Sequence, residues 1–295
     1  KGQIVTAAAW ASGGNLNTAR SLMGCAGIQT AALAFGGDSG SPPPATRDQA
    51  VTESYNGSSW TEVNDLNASR RRISGNGTTT SALAAGGFEP PGVAKVESWN
   101  GSNWTEVGDL NQARSSAGQA GADNTSSIVF GGSNPAGALL ALTETWNGSA
   151  WTEVNDLNTS GYGVTGVGIV TAALASDRAN ASDVAQTVVE SWNGSSWTEV
   201  ANLNTPRYYA GGSCSGTNTA ALYFGGQAPG GVTAVNESWN GSSWTEIVDL
   251  SIARAGAGGS GIQSSALAFG GAPPYMNSTE EFTNAANTTV TFTDS

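Results

Sequence analysis

An eleven-residue phrase, E-S-W-N-G-S-S-W-T-E-V, recurs along this chain and sets what it can fold into. It reads ESYNGSSWTEV from Glu53, ESWNGSNWTEV from Glu97, ETWNGSAWTEV from Glu144, ESWNGSSWTEV from Glu190 and ESWNGSSWTEI from Glu237. Its second aromatic falls at Trp60, Trp104, Trp151, Trp197 and Trp244, in steps of 44, 47, 46 and 47 residues, and Trp10 precedes Trp60 by 50. A period in the forties means one supersecondary unit used repeatedly, because a single unit of that size cannot bury its own apolar face.

Each unit divides into four strands. After N-D-L-N and an Arg comes a small-residue run such as AGAGGSG at Ala255–Gly261, then an apolar run ending in Gly-Gly, as in TAALAFGG from Thr30 or TAALYFGG from Thr219. A variable loop leads to a third strand, and an Asn-Gly turn closes onto S-W-T-E-V. Asn-Gly is the strongest short hairpin signal, since both residues tolerate positive φ. Gly/Ala-rich strands suit a crowded wall where backbones converge. The continuous apolar strand reads as buried on both faces, and the alternating S-W-T-E-V as half wet. The unit is therefore a propeller blade, running from a small-residue inner strand to an amphipathic outer one.

Glycine-pair slots at Gly36, Gly86, Gly131, Gly225 and Gly270, with Ala175-Ser176 replacing one, predict six blades. Trp10 lies in a fourth strand with no third strand before it, and Thr279–Thr283 is a third strand with no regular fourth after it. Ring closure follows: residues 1–295 form a single all-β, six-bladed propeller in which an N-terminal strand, 4–13, completes the last blade and leaves no edge open. A C-terminal strand, 287–294, is then surplus. It is expected to pack outermost on that blade or to pair with another subunit, in a homo-oligomer. All ten Trp fall into two repeat slots, with Tyr55 and Phe282 filling the third-strand slot elsewhere, so inter-blade packing accounts for them.

The order Arg, apolar strand ending Gly-Gly, variable loop, third-strand aromatic and following Trp, seen at Arg207, Gly225-Gly226, Trp239 and Trp244, resembles the kelch motif over nearly the whole chain. The phrases W-N-G-S-S-W-T-E-V, N-D-L-N and T-A-A-L-A-F-G-G are similar to the kelch-like repeat proteins of marine tailed phages and related bacteria. That resemblance implies a virion-surface role, such as a tail fibre, receptor-binding or decoration protein, with an extracellular bacterial adhesin or assembly scaffold as the alternative.

Composition narrows the chemistry. Kelch propellers include copper radical oxidases, which need His ligands, and the chain has no His, which also removes Ser- and Cys-His triads. The N-G-S-S-W turn superficially resembles the Asp-box hairpin of sialidases, but the Asp is missing and no arginine triad is evident, so a glycan-active hydrolase is only a remote reading. Glu53, Glu97, Glu144, Glu190 and Glu237 recur in register around the repeats, whereas catalysis needs one asymmetric site. They are expected to be solvated or to pair with the periodic Arg20, Arg70, Arg114, Arg207 and Arg254. Asp38, Asp48, Asp177 and Asp183 lack a calcium-ligand spacing. No catalytic residue, metal or cofactor is expected.

A formal net charge of −12 argues against nucleic acid. No apolar run reaches the length of a membrane helix, so no membrane insertion is expected. IVTAAAW, Ile4 to Trp10, is not read as a signal core, because Trp10 opens WASGGNLNTAR, which matches WTEVANLNTPR from Trp197. With Lys1 rather than Met at its start, a processed form or an excerpt is expected. Cys25 and Cys214 each stand six residues before an Ala of a T-A-A-L run, in non-adjacent units, and are expected to be small buried thiols out of bridging distance. The N-x-S/T sites at Asn56, Asn100, Asn147, Asn193 and Asn240 all sit in the Asn-Gly turn, so turn chemistry explains them without glycans.

Any function must lie where the repeats disagree. The loops after the second strands and the blade-to-blade connections share one face, which holds 38–50, 88–94, 133–141, 177–186, 227–234 and 272–277. That face also carries Arg70, Arg71, Arg72, Tyr162, Tyr208 and Tyr209, predicted as anchors for a virion or cell-surface protein, a host receptor or a surface glycan, at a virion or extracellular location.

Overall fold

In the computed structural model, which describes residues 2–41 and 47–290, the regular elements are all strands. Six four-stranded antiparallel sheets form the blades of a β-propeller. In the first blade the strands are Gly24–Ile28, Ala31–Phe35, Thr52–Tyr55 and Trp60–Val63, innermost to outermost. Blades two to five repeat this order, with inner strands Ser74–Thr78, Gly118–Asp123, Thr165–Ile169 and Gly211–Gly212. The sixth blade takes Gly258–Ile262, Ser265–Phe269 and Thr279–Thr283 from the end of the chain and Ala9–Ser12 from its beginning, Trp10 facing Phe282. An N-terminal strand therefore closes the ring, but of the predicted 4–13 only Ala9–Ser12 takes part, while Ile4–Thr6 leave the blade. The surplus C-terminal strand goes elsewhere: Ala286–Val290 pairs with Gly2–Thr6 in a separate two-stranded ribbon, using the chain's own N-terminus rather than the blade's outer edge or a second subunit. The remainder of the predicted 287–294 strand lies outside the described residues.

Tryptophan geometry explains why the slots repeat. Each outer-strand indole donates its N–H to the preceding blade: Trp60 to Thr279 Oγ1, Trp104 to Thr52 Oγ1, Trp151 to Gly108 O, Trp197 to Thr143 Oγ1, Trp244 to Ala201 O and Trp10 to Val248 O, all between 2.9 and 3.1 Å. Third-strand indoles instead bind the hairpin of their own blade, as Trp99 does Thr79 O at 2.9 Å. Buried Trp satisfies its polar handle in both slots. The Asn of each Asn-Gly turn accepts two backbone N–H groups; Asn193 Oδ1, for example, takes Ser195 and Ser196 at 2.9 Å. The turn thus uses the very side chain a glycan would occupy.

The periodic Arg and Glu form six buried ion pairs: Arg20–Glu53, Arg70–Glu97, Arg114–Glu144, Arg178–Glu190, Arg207–Glu237 and Arg254–Glu280. The second carboxylate oxygen caps the N-x-L-N connector, as Glu97 does Asn67 N at 2.7 Å and Nδ2 at 2.8 Å. Buried charges persist only when paired and hydrogen-bonded in this way. The fourth blade breaks the sequence pattern: Gly161 stands where Arg is expected, and the guanidinium comes instead from Arg178. Strand register also corrects the glycine-slot reading there. Ser176 faces Thr165 as Phe35 faces Gly24, so Ser176 fills the Phe position, and Asp177-Arg178 fill the Gly-Gly slot in place of Ala175-Ser176.

Candidate functional site

On the loop face, one residue per blade adopts a left-handed backbone: Leu22, Arg72, Ser116, Gly163, Tyr209 and Gly256, with φ between 54° and 70°. Their amides form a closed circle around the channel mouth. Leu22 N donates to Gly256 O, Arg72 to Leu22, Ser116 to Arg72, Gly163 to Ser116, Tyr209 to Gly163 and Gly256 to Tyr209, at 2.7–3.1 Å. Six amides and six carbonyls that would face the channel unpaired thereby satisfy one another. Two ring residues also carry functional side chains: Arg72, beside Tyr162 and Asp183, and Tyr209, whose hydroxyl meets Ser116 Oγ of another ring residue. Sequence reasoning missed the ring, and the trace it left was slight: a residue two places after each periodic Arg (or Gly161), glycine in only two of six cases.

Short hairpins place the remaining groups. Arg178–Ala179 pairs with Ala185–Gln186, presenting Asp183 at the tip, while Tyr162 bridges to Ala179. In the fifth blade Gln227–Ala228 pairs with Gly231–Val232, and Tyr208 bridges to Gln227. Tyr162, Tyr208 and Tyr209 consequently meet, with ring centroids 5.6, 5.9 and 5.3 Å apart. The Tyr162 hydroxyl bonds Asp183, and the Tyr209 hydroxyl lies 2.8 Å from Ser116 Oγ. Burial pushes both tyrosine pKa values up, for Tyr162 reinforced by its bond to Asp183, so each remains neutral and Tyr162 donates to Asp183. Two depressions flank the cluster. One, about 340 Å³, has Arg72, Leu139, Tyr162 and Asp183 in its wall; the other, about 310 Å³, has Asp183, Tyr208 and Pro229.

The predicted Arg-Arg-Arg anchor divides. Arg70 is fully buried against Glu97 at 3.0 Å and belongs to the wall of the fold, not to the loop face. Arg71 turns to the first blade, where it pairs with Asp48 and lies 3.9 Å from Asp38, and its guanidinium covers the Phe88 ring at 4.6 Å. Arg72 alone joins the tyrosine cluster, lowering the Tyr209 pKa against the effect of burial. The acidic residues are engaged too. Asp38 takes Arg47 at 2.7 Å, and that ion pair together with hydrogen bonds from Arg47 and the Gly40 amide outweighs partial burial and holds its pKa down. No group of three or more potential metal ligands occurs among the described residues.

No protein-family model matches the chain, and no curated protein matches it significantly in sequence. Its fold is shared widely, by 361 solved chains. Among them is the structure of YjhT, with a TM-score of 0.74 at 10% identity, covering 94% of this chain and 99% of that one. At that identity the likeness shows the fold, a β-propeller, and no more.

Proposed function

We propose that this propeller is a non-enzymatic recognition module that binds its partner on the loop face between the third, fourth and fifth blades. The observation that carries the reading is the half-exposed tyrosine trio set between two depressions on a scaffold whose other blades are nearly uniform. Tyr supplies large, rigid, amphipathic contact area at low entropy cost. Arg72 and Asp183 add one group of each charge at the rim. On this face Asp38, Asp48, Glu89 and Asp183 are held by Arg47, Arg71, Lys95 and the Tyr162 hydroxyl, and Asp177, which has no such partner, is fully enclosed. Tied up in that way they make poor nucleophiles or general acids, which favours binding over hydrolysis.

The partner we favour is a surface protein or surface glycan, met from a virion. The phrases shared with phage repeat proteins support that setting, and an extracellular bacterial adhesin or scaffold is the second reading. A glycan array and a pull-down from the native particle or envelope test both. Binding that survives Tyr162→Ala combined with Tyr208→Ala would overturn the loop-face assignment.

A further inference from the structure

The fifth blade has a longer first hairpin than its neighbours. Gly24 pairs with Phe35 in blade one, eleven residues on, whereas Gly211 pairs with Phe224 in blade five, thirteen residues on. By this register the equivalent of Cys25 is Gly212, and Cys214 sits in the two-residue insertion, so the expectation that the cysteines occupy matching, distant slots fails. The inner strand stops at Gly212, and residues 213–216 turn into the channel, closed by Gly216 N to Ser213 O at 2.7 Å.

That turn reaches across the sixth blade to the first. Ser215 N donates to Gly261 O at 3.0 Å, and Ser215 Oγ donates to Gly27 O at 2.7 Å. Cys214 Sγ lies 3.7 Å from the same Gly27 carbonyl, two residues along the strand from Cys25. The blade in between is thin here: a Cβ on Gly259 would sit 2.3 Å from Gly212 O. Cys25 and Cys214 are both unbridged, both half-buried, and both line the central channel, a space of about 100 Å³.

We propose that Cys25 and Cys214 are a redox pair whose disulfide staples blade one to blade five across the blade that closes the ring. The oxidant is hydrogen peroxide, small enough to enter the channel. The Cys214 thiolate attacks one peroxide oxygen; an S–O bond forms, the O–O bond breaks, and the departing hydroxide takes a proton to leave as water. Cys25 sulfur then attacks Cys214 sulfur; the S–S bond forms, the S–O bond breaks, and the second oxygen leaves as water with the Cys25 proton. Two thiols and one peroxide give one disulfide and two waters. Cys214 is the first nucleophile because it stands on the turn that enters the channel, where the neighbouring Cys25 draws its pKa down, while the same neighbour and burial push Cys25 up.

The staple spans the seam of the ring. The sixth blade is held by pairing between the two ends of the chain, and blades one and five are its neighbours. A covalent link over that blade opposes opening of the seam.

The test treats the whole reduced chain with one equivalent of peroxide and follows intact mass, free thiols and the peptide map. Expected are a monomeric product lighter by two hydrogens, loss of both thiols, a Cys25–Cys214 linked peptide, and a melting temperature that rises by several degrees and falls back with dithiothreitol. Cys25→Ser should stop at a sulfenic acid on Cys214 that dimedone traps, and the double serine variant, folded by circular dichroism, should show neither mass loss nor thermal shift. Independent over-oxidation of each cysteine, intermolecular dimers in place of the internal link, or two thiols untouched would each overturn the proposal.

Discussion

Arg178 occupies the space that Gly161 leaves empty. A Cβ built on Gly161 would lie 2.8 Å from Arg178 Cβ, and Arg178 Nη1 reaches Glu190 Oε1 at 2.9 Å in the pairing that Arg20, Arg70, Arg114, Arg207 and Arg254 make from the other side of the slot. The repeat keeps its buried ion pair by moving the cation from the connector before the inner strand to the short strand Arg178–Ala179. Arg178→Ala should strand Glu190 and cost about 3–5 kcal/mol. Gly161→Arg alone should also destabilise, through collision with Arg178. The combination Gly161→Arg with Arg178→Gly rebuilds the arrangement of the other blades, and urea unfolding should place it well above either single variant. Additive losses in the double variant would show that the exchange is not compensatory.

The same slot carries a buried acid. Asp177 sits at φ 53°, fully enclosed, with neither carboxylate oxygen in a well-formed hydrogen bond. Burial pushes its pKa up to about 7, and Arg207 nearby only partly opposes that. Because the folded-state value lies above the unfolded one, this residue's contribution is greatest in acid and is lost as pH rises from about 4 through about 7. The loss amounts to about 4 kcal/mol at most. Asp177→Asn, which tolerates the left-handed backbone, should remove this dependence and melt higher than the parent at pH 8, with little difference at pH 4. Parallel stability profiles across that range would refute the assignment.

These two positions mark where the sequence stops being legible. The six blades, the Trp slots and the closing strand follow from periodicity, because burial and hydrogen bonding impose the same demand at every repeat. Arg178 escapes it because its function is set by a space, not by a position in the repeat. Cys214 escapes it because its slot is measured from one end of a hairpin that has grown by two residues. The candidate face was half readable. Tyr162, Tyr208 and Tyr209 declare themselves by breaking the repeat, whereas Arg70, Arg71 and Arg72 look alike as a run and only backbone direction separates them.

On the loop face, Tyr208→Ala should weaken partner binding by about 30-fold or more, the effect of a well-packed aromatic anchor worth about 2 kcal/mol or above. It should leave the melting temperature nearly unchanged, since Tyr208 is half-exposed. Arg70→Ala should do the reverse, unfolding the blade through Glu97 with no selective effect on binding by the folded fraction. Surface plasmon resonance beside calorimetry separates the two. Equal affinity for the parent and Tyr208→Ala would remove the cluster from consideration.

Ring closure gives the last test. Trp10 is one of six outer-strand indoles, but the only one whose strand comes from the opposite end of the chain from the rest of its blade. It packs 5.1 Å from Phe224 and 5.2 Å from Phe282, and its N–H reaches Val248 O in the fifth blade. Trp10→Ala removes a large buried side chain and should cost about 3–5 kcal/mol. Trp151→Ala, equally buried but inside a blade made of continuous chain, should cost a similar amount. The two should differ in kinetics. Opening at the seam frees both ends at once, so Trp10→Ala should make the outer strand of the sixth blade exchange its amides fastest, with the other five blades protected as in the parent. Trp151→Ala should instead expose the third blade. Hydrogen-exchange mass spectrometry resolves these patterns, and uniform loss of protection in Trp10→Ala would mean that the seam is no weaker than the rest of the ring.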